Sequence, residues 1–368
     1  MFLKCFGDSS SSRRQYPTVI EELCRHFSLA DIRKSTNNFD HNREIAEGAV
    51  GKVYRGCLQH NDGSYYEVAV KRFHGQSCEI LKREVELLCQ LRHPNCVSIV
   101  GFCNHETESI IVYENMSNGS LDRHLRSEVR EALPWKKRIQ ICIGAARRLH
   151  YLHAGLKRTI IHHDIKPRKI LLDDNMHPKL SGFSSSLLGA HFKEKPKPIK
   201  TDFLGTCGYL PVESFTTDNV TDKWDVYSFG MTLLEVVGVR RIFERVYFEI
   251  EKELLEKCIE ENIDPKIKGE IAPECWQVFI DIALRCINKQ PDERPAMGEV
   301  EVELELALLV QEQEDIINTD SDYTLLSKTV IIPKSEGGFE YVIGLKEQET
   351  VYSDSEDMFH RQFSELLK

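Results

Sequence analysis

Glu84 interrupts an apolar stripe. It lies three residues after Leu81 and four before Leu88, so in a helix all three share one face. A carboxylate there needs a cation, because burying an unpaired charge is costly. Lys71, which ends the run Val68-Ala69-Val70-Lys71, is the candidate partner. A partly exposed Glu84 on the helix edge is the alternative. Upstream, Gly48 and Gly51 stand in Glu47-Gly48-Ala49-Val50-Gly51-Lys52-Val53-Tyr54. Glycines at such a bend let backbone N–H groups approach phosphate oxygens closely. A glycine hairpin also forms without any ligand.

The elements that must hold these groups follow from patterning. Residues 27–38 begin as a helix and end at Asn37-Asn38. Residues 50–58 and 65–73 read as strands separated by the turn cluster His60-Asn61-Asp62-Gly63-Ser64. Residues 78–91 have helical periodicity, with Leu81, Val85 and Leu88 in register. Residues 97–102 and 110–113 are further strands. From Trp135 onward helices dominate, with Ile139, Ile143 and Ala146 on one stripe and a buried run at 226–237. Strands first and helices later make an α+β pattern.

The 368 residues suit one large bilobed domain with tails, or two ordinary domains. Hydrophobic residues, 41% of the chain, can fill a sizeable core. A net charge of −10 argues against nucleic-acid binding. Residues 311–368 hold 13 acidic and 5 basic side chains, 5 − 13 = −8, and so read as a solvated, flexible tail. Twelve scattered cysteines with no C-x-x-C pair fit a reducing, intracellular setting and no metal site. No apolar run reaches the ~18 residues of a membrane span. Residues 1–12 lack a secretory core, and Phe2 excludes N-myristoylation. Cys5 is either a free thiol or an S-acylation site.

Several motifs then occur in order. They are His162-His163-Asp164-Ile165-Lys166-Pro167-Arg168-Lys169, Gly182-Phe183-Ser184, Gly205-Thr206-Cys207-Gly208-Tyr209-Leu210-Pro211-Val212-Glu213, Asp225-Val226-Tyr227-Ser228-Phe229-Gly230 and Pro291-Asp292-Glu293-Arg294-Pro295. With the glycine bend and Val68-Ala69-Val70-Lys71 they resemble a protein kinase over residues 39–309. The wording of residues 27–39, 91–95, 144–153 and 225–230 looks like plant receptor-like kinases, especially the malectin-like receptor group. With no ectodomain or span expected ahead of it, the chain is similar to a receptor-like cytoplasmic kinase.

The resemblance implies a bilobed kinase fold: a leader and short helix at 1–38, a mainly β N-lobe at 39–116, a helical C-lobe at 117–309 and the tail at 310–368. It implies a nucleotide site formed by Gly48, Gly51, Val53, Lys71 and Glu84, with the backbone from Glu114 to Met116 facing an adenine. Tyr113 would guard that pocket. An ordinary strand end and an Asn-Gly turn is the alternative there. Asp164 would be the catalytic base, assisted by Lys166. Glu213 would pair with Arg294, Asp225 would brace the catalytic loop, and Leu88, His162 and Phe183 would stack between the lobes.

The departures are as informative. Ala46 replaces the first loop glycine and His163 the catalytic-loop arginine. Lys169 stands where the resemblance expects a metal-binding Asn, and Gly182-Phe183-Ser184 where it expects D-F-G. Both metal-holding side chains are therefore missing. A neutral His163 cannot grip a phosphorylated loop near neutral pH, and Lys193, Lys195, Lys197 and Lys200 make that loop basic. The expectation is a pseudokinase acting as a scaffold in plant signalling, with weak ATP binding and impaired Mg2+ binding. The alternative is a weak Ser/Thr kinase with an altered metal mode. Partners would be other signalling proteins, such as receptor kinases or immune receptors. The location would be cytoplasmic, reaching the plasma membrane only if Cys5 is acylated.

Overall fold

The computed structural model describes residues 24–318 and 323, apart from 61, 76–77, 92, 128–130, 192–197, 202–204 and 239–251. Cys5, the lysines at 193, 195 and 197, and residues 324–368 lie outside the described residues.

Six strands form the first sheet, in the order β1-β5-β6-β4-β3-β2. They are β1 (Arg25–His26), β2 (Glu44–Gly48), β3 (Gly51–Gln59), β4 (Tyr65–Phe73), β5 (Ile99–His105) and β6 (Glu108–Glu114). Alternation explains β4: Val68 and Val70 are buried, while Glu67 is exposed. Helix α1 (Leu29–Ser35) is capped by Ser28, whose side chain accepts from the Asp31 N–H at 3.1 Å. Helix α2 (Cys78–Gln90) turns Leu81, Glu84, Val85 and Leu88 inward.

Residues 25–38 are more than a leader. β1 pairs in parallel with β5 through Arg25–Gly101 and His26–Phe102. Phe27 and Ile32 are buried with Val68, Val70 and Val112. The gain from burying two large apolar side chains, about 2 kcal/mol each, brings this segment onto the sheet.

The helical part follows β7 (Gly119–Ser120) and contains α3 (Leu121–Arg126), α4 (Trp135–Ala154), α5 (Asp222–Val236), α6 (Lys252–Glu261), α7 (Pro273–Cys286) and α8 (Met297–Ile317). α4 and α5 form its centre, with Ile139, Ala146, Leu149, Val226, Phe229 and Leu233 buried. Short strands β8 (Arg158–Ile161), β9 (Ile170–Leu172) and β10 (Pro178–Leu180) carry the intervening loops. The fold is the α+β kinase architecture, a sheet-based N-lobe and a helical C-lobe. No helix among the described residues is long and apolar enough to cross a membrane.

The boundary expected at 309 falls inside α8. Gln311 is buried, accepting from the Ala272 N–H at 3.0 Å and donating to the Glu270 carbonyl at 3.0 Å. Tyr323 packs against the same core and donates through its hydroxyl to Asp315 at 2.9 Å. Charge composition masked this docking, which a few side chains decide.

Candidate nucleotide and catalytic site

Strand pairing assembles the first half of the site. Ala46 stands beside Val53, and Val53 beside Lys71. Gly48 opposes Gly51 at the hairpin end. A Cβ on Gly51 would lie 2.3 Å from the Arg72 carbonyl oxygen, so β4 approaches too closely for any side chain. At Gly48 a Cβ would meet nothing within 4 Å, which leaves that backbone open.

Lys71 crosses to α2 and meets Glu84, Nζ to Oε2, at 2.7 Å. Glu84 is fully buried, so the helix-edge alternative is ruled out. Burial pushes its carboxyl up, but the charge of Lys71, their hydrogen bond and the Tyr113 hydroxyl at 2.6 Å outweigh that and lower it. Burial lowers the Lys71 ammonium despite Glu84. Lys71 also donates to the Ser184 hydroxyl at 3.3 Å.

At the far end of β6, the Glu114 N–H donates to the Ser98 carbonyl at 3.0 Å. Its carboxylate accepts from the Ser98 N–H and from Lys179, both at 2.7 Å. Met116 is buried, and its carbonyl accepts from the Gly119 N–H at 2.9 Å. The Asn-Gly turn named as the alternative is present, at the edge where the resemblance puts an adenine.

The loop after β8 supplies Asp164. Asp225, wholly buried, accepts from the His162 and His163 N–H groups at 2.7 Å each and contacts His153 Nε2 at 2.8 Å. This grip holds His163 in a left-handed conformation, φ 69°, that a non-glycine residue adopts only when its surroundings enforce it. The His163 ring lies 5.5 Å from the Trp224 ring. Phe183 is buried with Leu88, and the His162 ring meets Phe183 edge-on at 5.0 Å. Glu213 and Arg294 pair through two contacts of 2.6 and 2.8 Å.

Asp164 is surrounded by donors. Lys166 Nζ is 3.0 Å away, Lys169 Nζ 3.1 Å, and the Thr206 hydroxyl donates to it at 2.5 Å. Lys166 also donates to Thr206 at 2.5 Å. Burial opposes ionisation, yet Lys169 and then Lys166 hold the Asp164 carboxyl down at about 2. Thr206 lies 42 residues from Asp164 in sequence. No local pattern announces that contact, and the same is true of Tyr113 with Glu84.

Gly182 and Lys169 form one unit. Gly182 is left-handed, φ 84°. A Cβ built on it would lie 2.8 Å from both Nζ and Cδ of Lys169. The lysine side chain thus fills the space beside residue 182. A magnesium ion does not fit this donor set: the neighbouring position holds an ammonium and the other lacks a side chain. Among the described residues, no group of three or more His, Cys, Asp or Glu side chains is arranged to hold a metal ion.

These features define a protein kinase domain, and the sequence comparison agrees. Residues 39–304 match the protein tyrosine and serine/threonine kinase family, to which the chain belongs. Kinases of this family in general use ATP and Mg2+. Among similar proteins are the receptor-like protein kinase FERONIA of Arabidopsis thaliana, 40% identical over 304 residues, and ANXUR2 of the same plant, 41% identical over 304. The matched stretch is 80% of this chain but 33% and 35% of those proteins. The chain therefore spans about a third of the length of these curated relatives.

Proposed function

We propose that this domain is a pseudokinase: a kinase-shaped binding module in plant signalling whose phosphoryl transfer is disabled at the metal site. One observation carries the reading. Lys169 lies 3.1 Å from Asp164 and fills the space beside Gly182, so two metal-holding positions are lost together. Magnesium stabilises charge in phosphoryl transfer by several kcal/mol. Losing ~4 kcal/mol is about a thousandfold in rate. Asp164 can orient a hydroxyl only if the phosphate is held. Weak nucleotide binding through Lys71 and the Gly48–Gly51 bend fits the same picture.

A second reading has its own support. Lys71 and Glu84 are paired as an active kinase would need them, and Asp164 stands at the base position. A weak Ser/Thr kinase with an altered metal mode would use them. Purified protein with labelled ATP, tested beside Lys71→Ala, separates the two. The pseudokinase reading expects no difference from the variant. Robust Lys71-dependent labelling would replace it with the second reading. The partners in this proposal are other signalling proteins, receptor kinases or immune receptors, and membrane attachment would depend on acylation of Cys5.

A further inference from the structure

Lys169 and Gly182 differ from a metal-holding Asn and Asp by two units of formal charge. Lysine instead of a neutral side chain adds one, and glycine instead of a carboxylate adds another. That is the charge of one magnesium ion. With Lys71, Lys166 and Lys169 against Glu84 and Asp164, the site carries 3 − 2 = +1. With Asn and Asp it would carry 2 − 3 = −1.

The added charge is held in place. Lys169 is anchored on Asp164, its side chain is 23% exposed, and its backbone carbonyl accepts from the Ser181 N–H at 2.9 Å and hydroxyl at 3.0 Å. Its charge acts on Lys71, Glu84, His162 and Lys166. It therefore acts on Lys71, the side chain that would meet phosphates. The exchange between neighbours is also steric: the lysine fills the volume that a side chain at 182 would need.

We propose that Lys169 is a built-in cation that fits this site to a metal-free nucleotide polyphosphate, so that Mg2+ opposes nucleotide binding. The inference rests on the pseudokinase reading of the same site and extends it to ligand form. Free ATP brings more negative charge to a positive site than its magnesium complex does. A magnesium ion carried in on the phosphates would meet the Lys169 ammonium where the family expects a carboxylate.

Calorimetric titration of the full chain with ATP, in EDTA and in excess Mg2+, tests this. ATP should bind several-fold more tightly in EDTA. Lys169→Met should weaken ATP binding in EDTA about tenfold, the worth of one charge-assisted contact. Lys169→Arg should largely preserve it. Adenosine, which has no phosphate, should bind wild type and Lys169→Met alike, which also shows that the variant folds. Tighter ATP binding in Mg2+ overturns the proposal, as does an unchanged ATP affinity in Lys169→Met. No ATP binding in either condition overturns it too, while the scaffold reading stands. Lys71-dependent labelling in Mg2+ would instead defeat the pseudokinase reading itself.

Discussion

A side chain at residue 182 would have to displace the present side chain of Lys169. The first atom of the former would lie 2.8 Å from Nζ of the latter. Restoring the two metal positions is therefore a coupled problem. Gly182→Asp alone must move the lysine aside and adopt a left-handed φ of 84°, although Asp tolerates that region better than most residues. It should lose about 1–3 kcal/mol of stability. Adding Lys169→Asn clears the volume and should return part of that loss. Phosphotransfer should rise in the double variant well above either single one, because both ligands must hold the metal ions. Chemical denaturation and a kinase assay on all four proteins check this. Strictly additive stability changes would show that the two positions are independent.

Arg294 and Glu213 should be among the least replaceable residues. The Arg294 side chain is fully buried and its partner is 16% exposed. Arg294 also donates to the carbonyls of Asn288 at 2.7 Å and Lys223 at 3.1 Å. Removing one partner of such a pair typically costs about 3–5 kcal/mol. Arg294→Ala should unfold much earlier in urea, and Glu213→Gln should cost less. An Arg294→Ala midpoint equal to wild type would exclude the pair from the stability of the domain.

Arg148 presents the opposite case. It is wholly buried on α4, and none of its guanidinium nitrogens finds an oxygen acceptor. It lies 5.2 Å from the Tyr151 ring and 5.8 Å from the Phe183 ring, with the Cys96 thiol near. Burial lowers its pKa. Replacing a poorly compensated buried charge by an apolar side chain of similar length is often stabilising, by about 1–4 kcal/mol. Arg148→Met should raise the melting temperature. A fall of several degrees would mean that the aromatic faces compensate the charge fully.

Much of this architecture was legible in the chain. Lys71–Glu84 could be read because a carboxylate on an apolar helical stripe demands a cation. β4 could be read because a β-type run follows the turn cluster His60-Asn61-Asp62-Gly63-Ser64. β1 could not: Arg25 and His26 are both polar and both exposed, and their pairing depends on the edge of β5. The loss of metal ligands was visible as residue types at Lys169 and Gly182. Their crowding of one another was not, because it depends on a glycine φ and the path of a long side chain. Thr206 stands in a motif of the chain, whereas its bond to Asp164 is a product of tertiary folding alone.

Acid sensitivity should depend on Lys169. Asp164 is depressed from 3.8 to about 2 in the fold. Its contribution is complete above about pH 4 and is lost as pH falls through about 2, up to roughly 2 kcal/mol in all. His162 is lowered from 6.5 to about 4, by burial foremost and in part by Lys169. The unfolded chain takes up that proton first, so stability declines as pH falls from about 6.5 to about 4. Lys169→Met should raise both values and so flatten the decline between pH 7 and pH 3, by about 1 kcal/mol. Urea unfolding at the two pH values measures it. An equal decline in both proteins would mean that Lys169 exerts no field on either group.

The packed core of the domain extends to Tyr323. The resemblance set a boundary near 309, but α8 continues to Ile317 and Tyr323 anchors beyond it. The Tyr323 N–H donates to the Gly269 carbonyl at 2.9 Å, and its hydroxyl reaches Asp315, which also pairs with Lys136 at 2.7 Å. Cutting after residue 315 removes both Tyr323 contacts and about one buried aromatic face. At about 1–2 kcal/mol, such a loss should lower the melting temperature by a few degrees in a domain of this size. Cutting after residue 325 keeps those contacts, removes only the remainder of the acidic segment and should leave melting unchanged. Equal melting of both truncations would show that Tyr323 adds nothing to stability. A large drop in the longer one would mean that the acidic segment docks on the domain.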